Sequence, residues 1–315
     1  MTILVTGGTG FLGKHLIPKL EAEGNNVVAV SREGKHRYDL TSELSVYSMM
    51  QRYQPSLVIH AAADVGGITY NQANPGSVLY NNAMMGLLVL DCARRVGVPK
   101  VVTIGSACAY PANAPVPTEE QMLWDGYPEP TNGPYGVAKR LLLSQGEAYH
   151  RQYGMSVIHL ILTNMYGPHD NFLERGHVIP ALIAKFEQAR IAQEPEVVVW
   201  GSGYASRDFL YVDDAADAIV KAAANYNDPE PINIASGADI MIGDLAIMIR
   251  ELTGYTGNIT FDKTKPDGQS KRLLSACRAK MAIGFVPKTT LYDGLRRTIQ
   301  WYRESQTTSS DQSEK

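Results

Sequence analysis

The sequence predicts an α/β protein in which a doubly wound parallel sheet is followed by a smaller mixed α/β domain. Over the first 165 residues, short apolar runs alternate with longer helical stretches. Near-continuous apolar strands separated by helices are typical of a parallel sheet that is covered on both faces. A glycine-rich turn joins the first apolar run to the first helical stretch. Right-handed crossovers between such strands produce the doubly wound order.

The first half of the chain supplies the elements of this sheet. Its runs rich in β-branched residues predict strands at Thr2–Thr6, Asn26–Val30, Leu57–Ala61, Lys100–Ile104 and Ser156–Leu162. The stretches between them predict helices at Leu12–Glu23, Ser77–Val96 and Pro134–Tyr153. We assign residues 1–165 to this first domain.

After Gly167 the alternation loosens, which predicts a second domain over residues 166–304. Its predicted helices are Val178–Ala192, Asp213–Asn225, Gly243–Thr253 and Leu291–Tyr302. Its predicted strands are Glu196–Trp200, Pro231–Ala235 and Asn258–Asp262, with loops at 168–176 and 263–272. We expect later strands, near residues 196–225, to return to the first domain. Residues 305–315 are rich in Ser, Thr, Gln and charge, which predicts a disordered tail.

Composition excludes several classes of function for this chain of 315 residues. Lys plus Arg is 29 and Asp plus Glu is 32, so the net charge of −3 argues against a nucleic-acid binder. Three scattered cysteines, Cys92, Cys108 and Cys277, suit neither a disulfide framework nor a zinc site, and we expect no metal. No apolar run approaches the roughly 18 residues that span a bilayer. The N-terminus has no basic segment or cleavage site before Ile3, which favours a cytoplasmic protein.

The glycine-rich turn predicts a dinucleotide site. Gly7, Gly10 and Gly13 follow the first strand and open the first helix together with Phe11 and Leu12. In a Rossmann domain, one glycine permits the tight turn, one lets the backbone approach a pyrophosphate, and one lets the helix pack on the strand. The helix N-terminus also attracts the anion. The alternative is a plain tight turn without a ligand.

The residues after the second strand favour NADP(H) over NAD(H). A site for NAD usually places a carboxylate there to bond the ribose 2′-hydroxyl, whereas Ser31 and Arg32 suit a 2′-phosphate. Arg32 can equally be a solvated surface residue. We expect Asp39 and Leu40, near a predicted third strand, to meet the adenine. Small residues at a strand end, Ala61, Ala62 and Ala63, let a cofactor lie close to the sheet.

Tyr135 and Lys139 predict a reducing site. Their i, i+4 spacing places them on one face of a helix that Pro134 begins. A free phenol has a pKa of about 10, and a nearby ammonium is expected to lower it. Ser106 lies past the strand that ends at Ile104, where its hydroxyl can bond a substrate carbonyl. A Tyr-x-x-x-Lys pair alone is common on surfaces, and the upstream serine and glycine turn argue against that alternative.

This set of residues resembles the extended short-chain dehydrogenase/reductase family over the chain up to about residue 303. Eight further blocks narrow the resemblance to the GDP-L-fucose synthase family: G-S-A-C-A-Y-P (105–111), E-P-T-N-G-P-Y-G-V-A-K (129–139), T-N-M-Y-G-P-H-D-N-F (163–172), H-V-I-P-A-L (177–182), A-A-D-V-G-G-I (62–68), W-G-S-G (200–203), S-R-D-F-L-Y-V-D-D (206–214) and T-K-P-D-G (264–268). These enzymes epimerise a GDP-4-keto-6-deoxy sugar at C3 and C5 and reduce it at C4 with NADPH.

The resemblance implies roles for individual residues. It makes Cys108 the base and His177 the acid of epimerisation, with the enolate stabilised by Ser106 and Tyr135. It places Asn164 and His177 beside the cofactor as well. For the GDP-sugar it implies four contacts, at Lys185, Trp200, Arg207 and Lys265. It also implies a homodimer through the helices at 77–96 and 134–153.

Several alternatives stay open in the sequence. Cys108 can be a buried structural residue, and His177 can simply begin a helix. For Lys185, a solvated surface position is as good an explanation as a contact with the diphosphate. Departures from the family pattern at Ala107, Ala109, Ala184 and the loop 173–176 lie near the sugar or diphosphate. They leave open a related GDP-4-keto sugar, including a heptose, and a relative that only epimerises or only reduces. A non-catalytic NADP-binding regulator is the alternative from another class, and it typically loses the Tyr or Lys.

Overall fold

The computed structural model describes residues 1–173 and 176–313, without the side chains of Ile68 and of residues 308–313. The first half forms five strands, which match the predicted ones within two residues: β1 (Thr2–Thr6), β2 (Asn26–Val30), β3 (Leu57–His60), β4 (Lys100–Ser106) and β5 (Ser156–Leu162). Its helices are α1 (Phe11–Ala22), α2 (Glu43–Tyr53), α3 (Ile68–Ala73), α4 (Pro75–Val96) and α5 (Gly133–Tyr153). The helices α2 and α3 are absent from the sequence prediction.

The second half mixes short strands with five helices. The strands are β6 (Asn164–Tyr166), β7 (Glu196–Trp200), β8 (Ser206–Tyr211), β9 (Ile232–Ile234), β10 (Asp239–Met241), β11 (Asn258–Asp262) and β12 (Lys271–Arg272). The helices are α6 (Val178–Ala192), α7 (Val212–Asn225), α8 (Ile242–Thr253), α9 (Cys277–Ile283) and α10 (Leu291–Ser313). Four strands and α9 were not predicted. The prediction of a disordered tail is wrong for residues 305–313, which continue α10, and residues 314–315 lie outside the described residues.

The main sheet is parallel throughout, in the order β2-β1-β3-β4-β5-β9. This order confirms the doubly wound prediction. Side chains alternate between its two faces: Ile3 and Val5 join a core shared with α1 and α7, whereas Leu4 joins the core on the side of α2 and α4. Both faces are therefore buried, which explains the apolar runs in the sequence.

Two elements of the second half return to the main sheet, and neither is the strand we expected. Strand β7, within residues 196–225, pairs with β11 in a separate two-stranded sheet. The returning strand is β9, which pairs with β5, and the returning helix is α7, which packs on α1. The remaining strands form a small sheet in which β8 pairs with β6, β10 and β12. A separate hydrophobic cluster, which contains Phe186, Phe209 and Tyr255, packs within this second half of the chain.

None of the described helices is long and apolar enough to cross a membrane.

Candidate active site

One cleft, with a volume of about 1320 Å³, is lined by the carboxyl ends of the main strands and by α6, β7 and β8 of the second domain. Ligands bind at this edge in open parallel sheets. Nearly all predicted site residues line it: Gly7, Gly10, Phe11, Leu12, Ser31, Arg32, Asp39, Leu40, Ala61, Ala62, Ala63, Ser106, Cys108, Tyr135, Lys139, Asn164, His177, Lys185, Trp200 and Arg207. The two that do not line it are Gly13 and Lys265.

The glycine turn has the shape that a dinucleotide needs. Gly7 has a φ of 71°, and a Cβ there would lie 2.9 Å from the Ala62 backbone nitrogen. A Cβ at Gly13 would lie 2.5 Å from the Gly7 carbonyl oxygen, so this residue serves the packing of α1 on the turn. A Cβ at Gly10 would meet only the Gly7 carbonyl oxygen, at 3.1 Å, and its Cα otherwise faces open space. The backbone is thus accessible to a pyrophosphate at the N-terminus of α1.

The segment after β2 carries two exposed arginines. Arg32 lines the cleft as predicted, and the Nε of Arg37 donates to its carbonyl oxygen at 3.2 Å. Arg37 also lines the cleft, although it was not predicted from the sequence. Asp39 follows no third strand, contrary to our expectation, but lies in the loop between β2 and α2. Hydrogen bonds from Thr41 hold the pKa of Asp39 below its usual value.

Tyr135 and Lys139 are brought together on α5, and both are buried. The Lys139 ammonium lies 5.5 Å from the centre of the Tyr135 ring. Burial lowers the pKa of Lys139 to about 8. The expected lowering of the phenol pKa is wrong: burial, with a smaller effect of Cys108, raises the pKa of Tyr135. A buried phenolate is poorly solvated, so Tyr135 is held in the protonated form that can donate a proton.

Two buried histidines, His60 and His159, lie near Lys139. His60 Nδ1 lies 2.8 Å from Thr6 Oγ1, and His159 Nδ1 lies 2.7 Å from Thr103 Oγ1. Burial, and then the charge of Lys139, lower the pKa of each histidine to about 3. Both imidazoles are therefore neutral at pH 7 and add no charge beneath the site.

Ser106 and Cys108 lie at the end of β4. The backbone N–H of Cys108 donates to Ser106 Oγ at 3.2 Å, which fixes the turn between them. Cys108 is half-buried, whereas Cys92 is buried and Cys277 is exposed at the start of α9; all three are free thiols. The guanidinium of Arg272 donates to Cys108 Sγ at 3.4 Å. Nothing in the sequence analysis pointed to Arg272, because the contact joins segments far apart in the chain.

His177 lies just before α6, with about half of its side chain exposed to the cleft. Its Nδ1 is 3.6 Å from Oδ1 of Asp170, whose side chain is 3% exposed. The interaction with the Asp170 carboxylate raises the pKa of His177 despite the partial burial of the imidazole. The imidazole is thereby kept protonated toward higher pH, as an acid requires. The preceding loop, where we noted a departure from the family pattern, includes residues 174–175, which lie outside the described residues.

A third group of residues surrounds Trp200 at the far end of the cleft. The ammoniums of Lys185 and Lys265 lie 5.1 and 5.3 Å from the centre of its ring. Lys185 also donates to the Val198 carbonyl oxygen at 3.2 Å. These two cations and an exposed aromatic face suit a base and a phosphate.

Arg207, on β8, lines the cleft as well. It donates to the carbonyl oxygens of Ser206 and Asp267. Burial, followed by the charge of Arg272, lowers the pKa of Arg207 to about 10. The Asp267 carboxylate accepts hydrogen bonds from Ser202, so it ties the loop after β11 to the turn after β7. Asp267 is not among the residues predicted from the sequence.

Asn164, on β6, donates from its amide to the Asp208 carbonyl oxygen at 3.0 Å. Asn164 lines the cleft, and its predicted place beside the cofactor stays a prediction. Across residues 1–173 and 176–313, no group of three or more His, Cys, Asp or Glu side chains could hold a metal ion.

A family model, the NAD dependent epimerase/dehydratase family, matches residues 3–235, a range that contains the glycine turn and the Tyr135–Lys139 pair. The chain belongs to the NAD dependent epimerase/dehydratase family. The chain is similar to a GDP-L-fucose synthase of Sinorhizobium fredii, to which it is 40% identical over 95% of this chain and 94% of that protein. The fold class and the resemblance seen in the sequence are thereby confirmed.

Solved structures give the same result. A GDP-L-fucose synthetase from Naegleria fowleri bound to NADP is 33% identical, with a TM-score of 0.87 over 98% of this chain and 95% of that one. A GDP-6-OMe-4-keto-L-xylo-heptose reductase from C. jejuni is 28% identical, with a TM-score of 0.90 over 96% of this chain and 98% of that one. This chain is thus similar to enzymes that are named for GDP-L-fucose and for a GDP-heptose.

Proposed function

We propose that this chain is an NADPH-dependent GDP-L-fucose synthase, which epimerises GDP-4-keto-6-deoxy-D-mannose at C3 and C5 and reduces it at C4. The observation that carries this proposal is the presence of two proton-transfer pairs in one cleft. Tyr135 and Lys139 form one pair, and Cys108 and His177, each beside a charged partner, form the other. Reduction alone needs only the first pair.

The cofactor site fits NADP(H). Gly7 and Gly10 leave the backbone free for the pyrophosphate, Arg32 and Arg37 are available to the 2′-phosphate, and Lys139 is available to the nicotinamide ribose. When bound, NADPH supplies the hydride that reduces C4. This choice of cofactor is supported by the NADP-bound relative from Naegleria fowleri.

The epimerisation steps use the chain's own groups. The C4 ketone acidifies the hydrogens at C3 and C5, so a Cys108 thiolate can take one of them as a proton, which leaves an enolate. Ser106 and Tyr135 can donate hydrogen bonds to the enolate oxygen. His177 then returns a proton to the carbon from the opposite face, which inverts that centre. The two groups must exchange protons with solvent before the second carbon reacts.

The reduction step follows the second inversion. Tyr135, kept as a phenol by burial, donates its proton to the C4 oxygen as that oxygen gains negative charge. The nearby Lys139 ammonium stabilises the phenolate that remains. At the other end, Arg207 and Lys185 are available to the diphosphate and Trp200 to the base.

One experiment tests both halves of the proposal. The enzyme is incubated with GDP-4-keto-6-deoxy-mannose and NADPH in deuterated water, and NADPH loss and deuterium at C3 and C5 are followed. For the wild type we expect NADPH loss together with deuterium at C3 and C5. Cys108→Ser should lose deuterium incorporation while it still binds NADPH. Tyr135→Phe should lose most of the reduction. NADPH oxidation without deuterium in the product would overturn the epimerase assignment.

The second candidate function is action on a related substrate, a GDP-4-keto heptose. It is favoured by the high structural similarity to the C. jejuni heptose reductase. Measuring kcat/KM for the hexose and the heptose under the same conditions decides between them, because the enzyme discriminates by that ratio.

We also propose a cytoplasmic homodimer. Helices α4 and α5 pack on each other and leave large side chains exposed, namely Leu79, Tyr80, Leu141 and Tyr153. Light scattering of the wild type and of Tyr80→Lys with Leu141→Lys tests this assembly. We expect twice the monomer mass for the first and the monomer mass for the second.

A further inference from the structure

The side chain of Arg272 reaches the sulfur of Cys108 across the domain junction. Its Nη1 donates to Cys108 Sγ at 3.4 Å. Cys108 follows β4 of the main sheet, whereas Arg272 belongs to the two-residue strand β12 of the second domain. The contact therefore depends on the docking of the two halves of the chain.

Two successive hydrogen bonds connect the Arg272 guanidinium, through Gln269, to the segment that contains Cys108. Arg272 Nε donates to Gln269 Oε1 at 3.1 Å, and Gln269 Nε2 donates to the Ala112 carbonyl oxygen at 2.9 Å. Ala112 lies in the same segment as Cys108. Arg272 is also the register partner of Arg207 in the pairing of β12 with β8. The hydrogen bond at Nε thus holds the guanidinium in place while its Nη1 donates to the sulfur.

Two guanidinium groups lie near the Cys108 sulfur. Arg207 interacts electrostatically with Cys108 and is also affected by Glu129 and Asp267. The Tyr135 phenol faces the thiol from α5 and stays neutral. Within the described part of the chain, no carboxylate oxygen lies within 4.0 Å of the Arg272 guanidinium. A thiolate beside such a cation is stabilised relative to the thiol, and the thiolate is the base.

We propose that Arg272 is a positioning residue for epimerisation, whose guanidinium holds Cys108 in place and favours the thiolate that takes the proton from C3 or C5. This inference rests on the proposed function for its role in the reaction. The effect of Arg272 on the thiol does not depend on the substrate and is measurable without it.

The test is the pH dependence of Cys108 alkylation by iodoacetamide in the full-length protein. A Cys277→Ser background removes the exposed thiol, and the rate at Cys108 is followed by peptide mass spectrometry. For Arg272→Gln we expect alkylation about tenfold slower at pH 7, with its midpoint moved to higher pH. Arg272→Lys, which keeps the charge, should retain part of the effect.

The matched control is Lys271→Gln. Lys271 is the other residue of β12, pairs with Asp239 at 3.1 Å and does not line the cleft. Its loss should leave the alkylation profile unchanged. An alkylation midpoint for Arg272→Gln equal to that of the parent would overturn the proposal. Gln269→Leu removes the oxygen that accepts from Arg272 Nε. This variant should move the alkylation midpoint in the same direction by a smaller amount, and it replaces Arg272→Gln in the test if that variant does not fold.

Deuterium exchange then separates the inference from the proposed function. With GDP-4-keto-6-deoxy-mannose, Arg272→Gln should lose exchange at C3 and C5 near neutral pH, regain part of it at higher pH, and bind NADPH as the parent does. A parent without any exchange would overturn the proposed function, while the alkylation shift would still decide the contact between Arg272 and Cys108.

Discussion

The ammonium of Lys139 donates a hydrogen bond to the Ile104 carbonyl oxygen at 2.8 Å while lying 5.5 Å from the centre of the Tyr135 ring. The lysine thus links the backbone of β4 to the phenol on α5. Both side chains are buried, and the neighbouring histidines, His60 and His159, are neutral at pH 7. The site holds a positive charge where solvation is poor, which has a cost in stability.

We expect Lys139→Met to abolish reduction and to stabilise the fold. Burial lowers the pKa of Lys139 to about 8, against about 10.4 in an unfolded chain. Allowing for the lost hydrogen bond, the free energy of unfolding should rise by about 2 kcal/mol at pH 7. Because folding lowers this pKa, wild-type stability increases between pH 8 and 10.4, and the difference shrinks there. Urea unfolding at pH 7 and pH 9.5 measures it; a less stable variant at pH 7 would contradict this account.

Asp170→Asn should move the alkaline limit of epimerisation to lower pH. Asp170 raises the pKa of His177, so the wild-type imidazole keeps its proton to higher pH. With the carboxylate removed, the acid loses its proton earlier as the pH rises. Proton NMR titration of His177, assigned with His177→Gln, and deuterium exchange against pH both report this change. An unchanged titration midpoint would rule out Asp170 as the cause.

Gly7→Ala should weaken NADPH binding and destabilise the fold by about 1–3 kcal/mol. The residue has a positive φ, and the new Cβ would lie 2.9 Å from the Ala62 backbone. Gly76→Ala, on α4 with no heavy atom within 4 Å of its Cβ position, is the matched control and should be neutral or slightly stabilising. Thermal unfolding and NADPH fluorescence titration compare the two. Equal effects of both substitutions would contradict the tight turn.

Arg32→Ala and Arg37→Ala should each weaken NADPH binding by about ten- to a hundredfold, since a charge-assisted hydrogen bond contributes about 1.5–3 kcal/mol. Binding of NADH, which lacks the 2′-phosphate, should change little. Arg52→Ala, on the exposed side of α2 beside Tyr53, is the control. If NADH and NADPH lose affinity equally, the arginines bind a part that the two cofactors share.

Local patterns could be predicted from the sequence, and contacts across the fold could not. The glycine turn and the Tyr135–Lys139 pair each depend on one short segment, so spacing alone places them. Arg272, by contrast, lies on a two-residue strand, which is too short to leave a periodic signal. Asp170 lies in a loop, and its importance depends on the start of α6. The pKa of Tyr135 was wrongly predicted because burial is a property of the folded chain.

One missed element did carry a signal. Helix α2 has apolar residues at Val46, Met49, Met50 and Tyr53, which is the spacing of one helical face, after Ser42 at the cap position. The first three of these are buried beneath the sheet.

The return of α7 and β9 to the main sheet constrains how this protein can be recombined with its relatives. In a fragment that ends at residue 165, β5 would be an unpaired, apolar edge strand, because β9 would be missing. The face of α1 on which α7 packs would be exposed to solvent. Such an edge is prone to aggregate. A chimaera that exchanges substrate recognition between two such enzymes must therefore keep residues 212–234 with the cofactor half and replace the flanking segments on both sides. The breakpoints of successful chimaeras, natural or engineered, are expected to fall in pairs around that insert.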